Sequence, residues 1–284
     1  MGSQEKKSPA REEFLWVIKD EPFTRVEVVH SGGGTLVRKL YRNRPKFWWR
    51  TLLLPSRARR EYRNLSILRE RGVPCVEVVS WSEERGAFSQ VRSSSLTTRF
   101  LEGCRSLKAF FRQEDPSEPG KGRARRAYQE ALGRILRRLH TAGVLHGAAS
   151  TRNFLALGYP EDPRVVICDV PYLAAFPRSI LGRRAGNLDL YDSIFAPGRK
   201  RELSRGEKFR ILWAYTEGDR LLARKIWKKL SRRPRWRNKA EKALLVAWDS
   251  YVRMFFRLLA GKVQGPRKSA HGGGEVKRNE PETT

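Results

Sequence analysis

The stretch Leu139 to Asn153, LHTAGVLHGAASTRN, read with Asp169 at the end of VVICD, concentrates the groups of this chain that can do chemistry. His146 and Asn153 stand seven positions apart, the spacing of a His-x-Asp-x-x-x-x-Asn loop. In such a loop the aspartate accepts the proton of an attacking hydroxyl and the asparagine binds a metal ion, so the chemistry is phosphoryl transfer. Here the aspartate position holds Ala148. A methyl group can neither take the proton nor hold the hydroxyl in line. Loss of a general base costs roughly 10²–10⁴-fold in rate. Ser150 and Thr151 are not bases at neutral pH. Arg152 can offset phosphate charge but cannot accept a proton.

Phosphoryl transfer otherwise needs its phosphates positioned and their charge neutralised. Lys39, in V-R-K-L-Y, suits an ammonium aimed at phosphates from a strand. Glu61 lies early in the next helix, where its carboxylate can pair with Lys39 and hold it. Asn153 offers an amide oxygen and Asp169 a carboxylate to one divalent cation, such as Mg²⁺. Each residue also has a plainer reading: a surface lysine, a solvated helix glutamate, a turn aspartate, and for His146 a satisfied core histidine. A strand lysine, then a helix glutamate, then further strands is a much rarer combination than any one of them. After Asp169 the usual Phe-Gly is replaced by Val170-Pro171, and Pro171 stiffens that segment. A G-x-G-x-x-G phosphate lid is missing. Ser31-Gly32-Gly33-Gly34 reads as the turn into the lysine strand, so any lid must come from Phe14–Arg25, which holds no glycine.

The elements that must carry these residues follow from pattern. FLWVIKD, TRVEVVH and TLVRKLY read as strands, with the glycine turn between the last two. SRARREYRNLSILRERG (56–72) reads as a helix with Leu65, Ile67 and Leu68 on its apolar stripe and Gly72 as its stop. PCVEVVSWSEE and AFSQVRSSSLTTRFLEG supply two or three more strands. SLKAFFRQ starts a short helix capped by Ser106. Over 123–143, Tyr128, Leu132, Ile135, Leu136 and Leu139 recur at helical spacing, and Gly143 ends the run. FLAL and RVVICDV form a small hairpin, and the chain beyond Ser204 reads as helices. The expectation is an α+β chain in two lobes. Residues 13–103 form an antiparallel sheet with one helix, 104–261 a mostly helical lobe with the loop, and 1–12 and 262–284 polar tails.

Composition points to partners. The chain has 284 residues and a formal net charge of +29, from 59 Lys+Arg against 30 Asp+Glu. Such an excess fits an anionic membrane surface, a phosphorylated glycolipid or nucleic acid, part of it being plain solvated surface. Three cysteines, Cys75, Cys104 and Cys168, are widely spaced and without CxxC, which argues for buried thiols in a reducing compartment. The N-terminus has no apolar signal core, and no apolar run reaches membrane-spanning length.

Together, TLVRKLYR, SRARREYRNLSILRERGVPCVEVVSW, LTTRFLEGCRSL, LHTAGVLHGAASTRNFLAL and RGEKFRILWAYTEGDRLLAR resemble the lipopolysaccharide core kinases, the Kdo and heptose kinases, over roughly Thr24 to Leu230. The resemblance implies a two-lobed protein-kinase-like fold and transfer of the ATP γ-phosphate to a sugar hydroxyl of the lipopolysaccharide inner core, at the cytoplasmic face of the inner membrane. It makes Lys39 the phosphate lysine and Glu61 its partner, Asn153 and Asp169 the Mg²⁺ ligands, and Arg99, Phe100, Leu101 and Glu102 the hinge that holds adenine. The base of the family maps onto Ala148, with His146 and Arg152 beside it. It also gives the positive charge a target in the anionic glycolipid and membrane surface. KFWWRTLLLPSRARR (46–60) is then a membrane-touching segment, with Trp48 and Trp49 in the interface and Arg57, Arg59 and Arg60 at headgroups, or else packs as core. Two readings follow: an active sugar kinase, or a pseudokinase that binds nucleotide or lipopolysaccharide as a regulator or scaffold. A basic RNA-binding protein is a distant third and leaves the ordered constellation as coincidence, so no specific nucleic acid is expected as partner.

Overall fold

The computed structural model describes residues 13–43, 55–113, 121–159, 161–196 and 203–232, together with 240, 241 and 244. The polar tails, the Trp48–Trp49 segment and most of the expected last helix (239–261) lie outside these residues. Five strands form one sheet: β1 (Glu13–Glu21), β2 (Thr24–Ser31), β3 (Gly34–Arg42), β4 (Val78–Arg85) and β5 (Val91–Arg99). Their order is β1-β2-β3-β5-β4, antiparallel throughout. Helix α1 (Arg57–Glu70) is inserted between β3 and β4 and packs on β4 and β5.

Helix α1 forms for local reasons. Ser56 caps it, accepting from the Arg59 amide at 3.1 Å. It stops before Gly72, whose φ of +67° suits a residue without a Cβ. Its buried face is Ala58, Glu61, Asn64, Leu65 and Leu68, at helical spacing. Two polar residues inside an apolar stripe are costly unless paired, and their pairing is what builds the site.

The second part follows β5. Strand β6 (Arg105–Ser106), helix α2 (Leu107–Gln113) and the long helix α3 (Lys121–Thr141) lead to β7 (Val144–Leu145) and a 3₁₀ turn over Thr151–Asn153. Strands β8 (Phe154–Leu157) and β9 (Arg164–Ile167) make a hairpin that β6 extends to three strands, while β10 (Ala174–Ala175) pairs with β7. Helix α4 (Arg184–Leu190) runs into a π turn, Tyr191–Phe195, and α5 (Arg205–Tyr215) and α6 (Arg220–Ser231) complete the described fold. Leu132, Leu136 and Leu139 of α3 are fully buried, as are Ile211, Leu212 and Tyr215 of α5. Each such side chain contributes about 1.5–3 kcal/mol on burial. Gly133 lets the two helices touch, since a Cβ there would sit 2.5 Å from the Ile211 carbonyl oxygen.

Several boundaries differ from the sequence reading. Helix α3 starts at Lys121, two residues before the expected 123. The strand expected from Pro74 begins only at Val78, because Val76 donates to the Ile167 carbonyl (2.9 Å) and Ile167 to that of Pro74 (3.1 Å), drawing 74–76 onto β9 instead. Helix α4 was not anticipated. The three thiols are free and only partly buried, which corrects the expectation of buried thiols.

Candidate functional site

Strand β3 and helix α1 bring the first two groups together. Lys39 Nζ makes a very short contact with Glu61 Oε1, donates to the Cys168 carbonyl at 2.9 Å, and lies 3.9 Å from Asp169 Oδ1. The other oxygen of Glu61 accepts from the Tyr41 hydroxyl at 2.6 Å. Burial, the largest single influence, would favour loss of the lysine proton, but Glu61, Tyr41, Asp169 and Cys168 together outweigh it, and the ammonium is held protonated well above its ordinary value. The Tyr41 hydroxyl is pushed up by burial and by its bond to Glu61. Asn64, one turn beyond Glu61, donates to the Val170 carbonyl at 2.8 Å. Helix α1 is thereby fixed to the segment that carries Asp169.

The loop after β7 keeps its shape without an aspartate. Asp189 of α4, fully buried, accepts from the amides of His146 (2.6 Å) and Gly147 (3.0 Å). Two successive amides face one carboxylate because Gly147 has φ of +75°, a conformation that favours glycine. The Ala148 amide donates to His146 Nδ1 at 3.2 Å, and its carbonyl accepts from Asn153 Nδ2 at 2.7 Å. Ser193 Oγ donates to the Ala149 carbonyl at 2.5 Å. The Ala148 methyl is only partly buried, and Arg152 is exposed. His146 is buried against Phe154, with ring centroids 5.8 Å apart, so it braces the loop from within.

Asn153 and Asp169 fit a divalent cation. The Asn153 amide nitrogen is committed to the loop, which leaves its carbonyl oxygen as a ligand. Asp169 Oδ1 is buried without a hydrogen-bond partner. Both are hard oxygen donors of the kind Mg²⁺ takes alongside phosphates. Among the described residues no group of three or more His, Cys, Asp or Glu makes a self-sufficient metal cage.

Of the residues expected as a hinge, Arg99 ends β5 and 100–102 follow it. Phe100 donates its amide to the Thr35 carbonyl at 3.1 Å, and the Leu101 carbonyl accepts from Cys104 at 3.4 Å, which leaves the other main-chain groups of 100–102 for a base. Arg99 pairs with Glu77 at 2.9 Å, and Glu102 is exposed. Trp16 of β1 stands in the cross-strand row Trp16–Val28–Val37, on the face of the sheet that carries Lys39. Its ring meets that of Phe100 edge-on at 5.9 Å. The turn between β1 and β2 is the two-residue Pro22-Phe23, beside Tyr41. Among the described residues the segment expected to supply a lid, Phe14–Arg25, therefore turns as a tight hairpin without glycine.

The structure brings Lys39, Glu61 and Asp169 into one cluster and ties Asn153 to the Ala148 carbonyl. Tyr41, Asn64, Asp189 and Ser193 were missed in the sequence. Glu61 and Asn64 on the buried stripe of α1 carried a readable signal, and so did Asp189, set between two leucines. Tyr41 and Ser193 carried none.

Residues 7–170 of 284, more than half of the chain, match the family model described as "Lipopolysaccharide kinase (Kdo/WaaP) family". The fold is similar to a solved structure described as "WaaP in complex with acyl carrier protein", with a TM-score of 0.54 and 22% identity over 85% of this chain and 87% of that one. No curated protein matches the chain significantly.

Proposed function

The chain belongs to the lipopolysaccharide kinase (Kdo/WaaP) family, and from that premise we propose that it holds ATP and a divalent cation between the Lys39–Glu61 pair and Asn153 with Asp169, and transfers the γ-phosphate to a sugar hydroxyl of the lipopolysaccharide inner core. The observation that carries this reading is the Lys39 cluster, which joins residues from three distant segments around one ammonium group. When bound, the cation neutralises charge on the phosphate oxygens. Lys39 orients the phosphates, Glu61 and Tyr41 hold Lys39, and the Asp189-braced loop keeps Asn153 in register with Asp169. Phe100, Leu101 and Glu102 offer the base their remaining main-chain groups, and Trp16 offers it a ring face.

In transfer the hydroxyl oxygen bonds to the γ-phosphorus and the bond to the departing ADP oxygen breaks. With no carboxylate at 148, the hydroxyl proton passes to an oxygen of the transferred phosphoryl group. The loose transition state of phosphoryl transfer makes few demands on a base, so the reaction is slowed rather than forbidden. Ala148 favours a second reading, a pseudokinase that binds nucleotide or glycolipid without transfer. From the family we place the protein at the cytoplasmic face of the inner membrane; no described helix is long and apolar enough to cross a membrane.

Two measurements decide between these readings. Calorimetric titration with Mg²⁺–ATP should show binding that Asp169→Ala abolishes; no binding by the natural chain removes the transfer reading and any nucleotide-binding pseudokinase. Labelled ATP with deep-rough lipopolysaccharide should then give slow incorporation. Zero incorporation, restored by Ala148→Asp, establishes the pseudokinase.

A further inference from the structure

We infer that Arg57 and Arg60, in the first turns of α1, form a second oxyanion site beside the transfer site, one that takes a phosphomonoester or carboxylate group of the acceptor. The inference rests on the proposed function for its acceptor and on the following geometry for its site.

Helix α1 begins with Arg57, Arg59, Arg60 and Arg63 and has no acidic residue in its first turn. Cations are disfavoured at the positive end of a helix, so this placement costs stability unless an anion answers it. Glu83 lies against the Ser56 cap and Arg59 but pairs with neither Arg57 nor Arg60. Glu61, next to Arg60 in the chain, has one oxygen on Lys39 and the other on Tyr41. Among the described residues neither Arg57 nor Arg60 has an ion-pair partner, and residues 44–54, just before the helix, contain no Asp or Glu. Arg60 Nε is buried without a hydrogen-bond partner. Buried donors of this kind are rarely left unmet.

The two side chains are held in place for a ligand. The Arg57 guanidinium lies over the Tyr41 ring, 4.4 Å from its centroid, and donates to Thr24 Oγ1 at 3.3 Å. Arg60 lies over the Tyr172 ring at 5.8 Å. Thr24 follows the β1–β2 turn and Tyr172 comes three residues after Asp169. The guanidiniums therefore bracket the phosphate end of the cleft, from the lid position on one side to the metal-binding segment on the other. Burial and the neighbouring Arg57 both work against the charge of Arg60, and a bound oxyanion would relieve both. The planar donor fork of arginine matches phosphate and carboxylate geometry.

The test measures binding of deep-rough lipopolysaccharide and of Mg²⁺–ATP separately, by calorimetry on the full chain. The double variant Arg57→Gln/Arg60→Gln should lose at least about tenfold in lipopolysaccharide affinity, with ATP affinity within twofold of the natural chain. Asp169→Ala should do the reverse. Arg57→Lys/Arg60→Lys, which keeps the charge, should recover part of the loss and shows that the fold survives. Inorganic phosphate at millimolar concentration should compete with lipopolysaccharide on the natural chain, and phosphatase-treated lipopolysaccharide should bind more weakly if the group recognised is a phosphate of the glycolipid. Unchanged lipopolysaccharide affinity in the double variant overturns the inference, as does a loss confined to ATP. A natural chain that binds lipopolysaccharide through these arginines but no ATP overturns the proposed transfer while leaving this site standing.

Discussion

Glu61 has two oxygens, and they meet two side chains of β3, Lys39 and Tyr41. Removing one partner of a buried ion pair leaves the other charge stranded, at about 3–5 kcal/mol. Glu61→Ala should therefore lower stability by about that amount in urea unfolding, and Glu61→Gln by less. The sign of the pH effect follows from the raised lysine. A folded-state value above the unfolded 10.5 gives stabilisation that is complete below 10.5 and is lost only as pH climbs through the folded value. Lys39 should accordingly add no slope to stability between pH 6 and 9. Cys168, its thiol pushed up to about 12 chiefly by burial, should label with iodoacetamide at pH 8 far more slowly than a free thiol. At the loop, Asp189→Ala would orphan two buried amides and should cost about 2–5 kcal/mol, measured as a shift in urea midpoint.

Helix α5 opens on a capping box, with Ser204 Oγ accepting from the Glu207 amide and Glu207 accepting from the Ser204 amide. Glu207 also binds Arg125 of α3 at 2.5 Å, which clamps the two helices at one end. Burial alone would raise this carboxyl, but hydrogen bonds from Arg125 and Ser204 prevail and hold it below 4.5. A depressed carboxyl stabilises fully above its unfolded value and loses that contribution as pH falls through its folded value. Glu207→Gln should flatten the decline in melting temperature below pH 4.5. In the sheet, Trp16→Ala should weaken ATP by roughly 5- to 100-fold, the worth of base stacking, and leave inorganic tripolyphosphate unaffected, as read by calorimetry. Elements of this kind differ in how openly the chain announces them. Helix α3 shows in its leucine spacing, and Lys39 and Glu61 show through the order strand, helix, strand. Helix α4 does not show, because its Leu-Asp-Leu run offers no clear helical stripe and its aspartate answers amides 42 and 43 residues away. Asn64 likewise serves a carbonyl 106 residues distant. The burial of Asn64 and Asp189 is legible in their apolar neighbours, but the distant partner that each meets is not.

At the scale of the whole molecule the net charge of +29 acts as a field. Binding to vesicles containing phosphatidylglycerol should fall steeply between about 50 and 300 mM salt as screening shortens the reach of that field, read by co-sedimentation; salt-insensitive binding would assign the contact to apolar insertion instead. The two lobes are joined by more than the chain crossing after β5. Residues 74–76 are bonded to β9, Lys39 to the Cys168 carbonyl, Asn64 to the Val170 carbonyl, and Arg71 at the far end of α1 to the carbonyls of Ala142 (2.5 Å) and Phe176 (3.0 Å). A helix strapped down at its middle and its end is not a lever. This scaffold arrives already cocked, with no swing of α1 left over for an activating signal to command. Nucleotide association should therefore follow a single exponential whose rate rises linearly with concentration, and whatever governs output must act on delivery of the acceptor to the cleft.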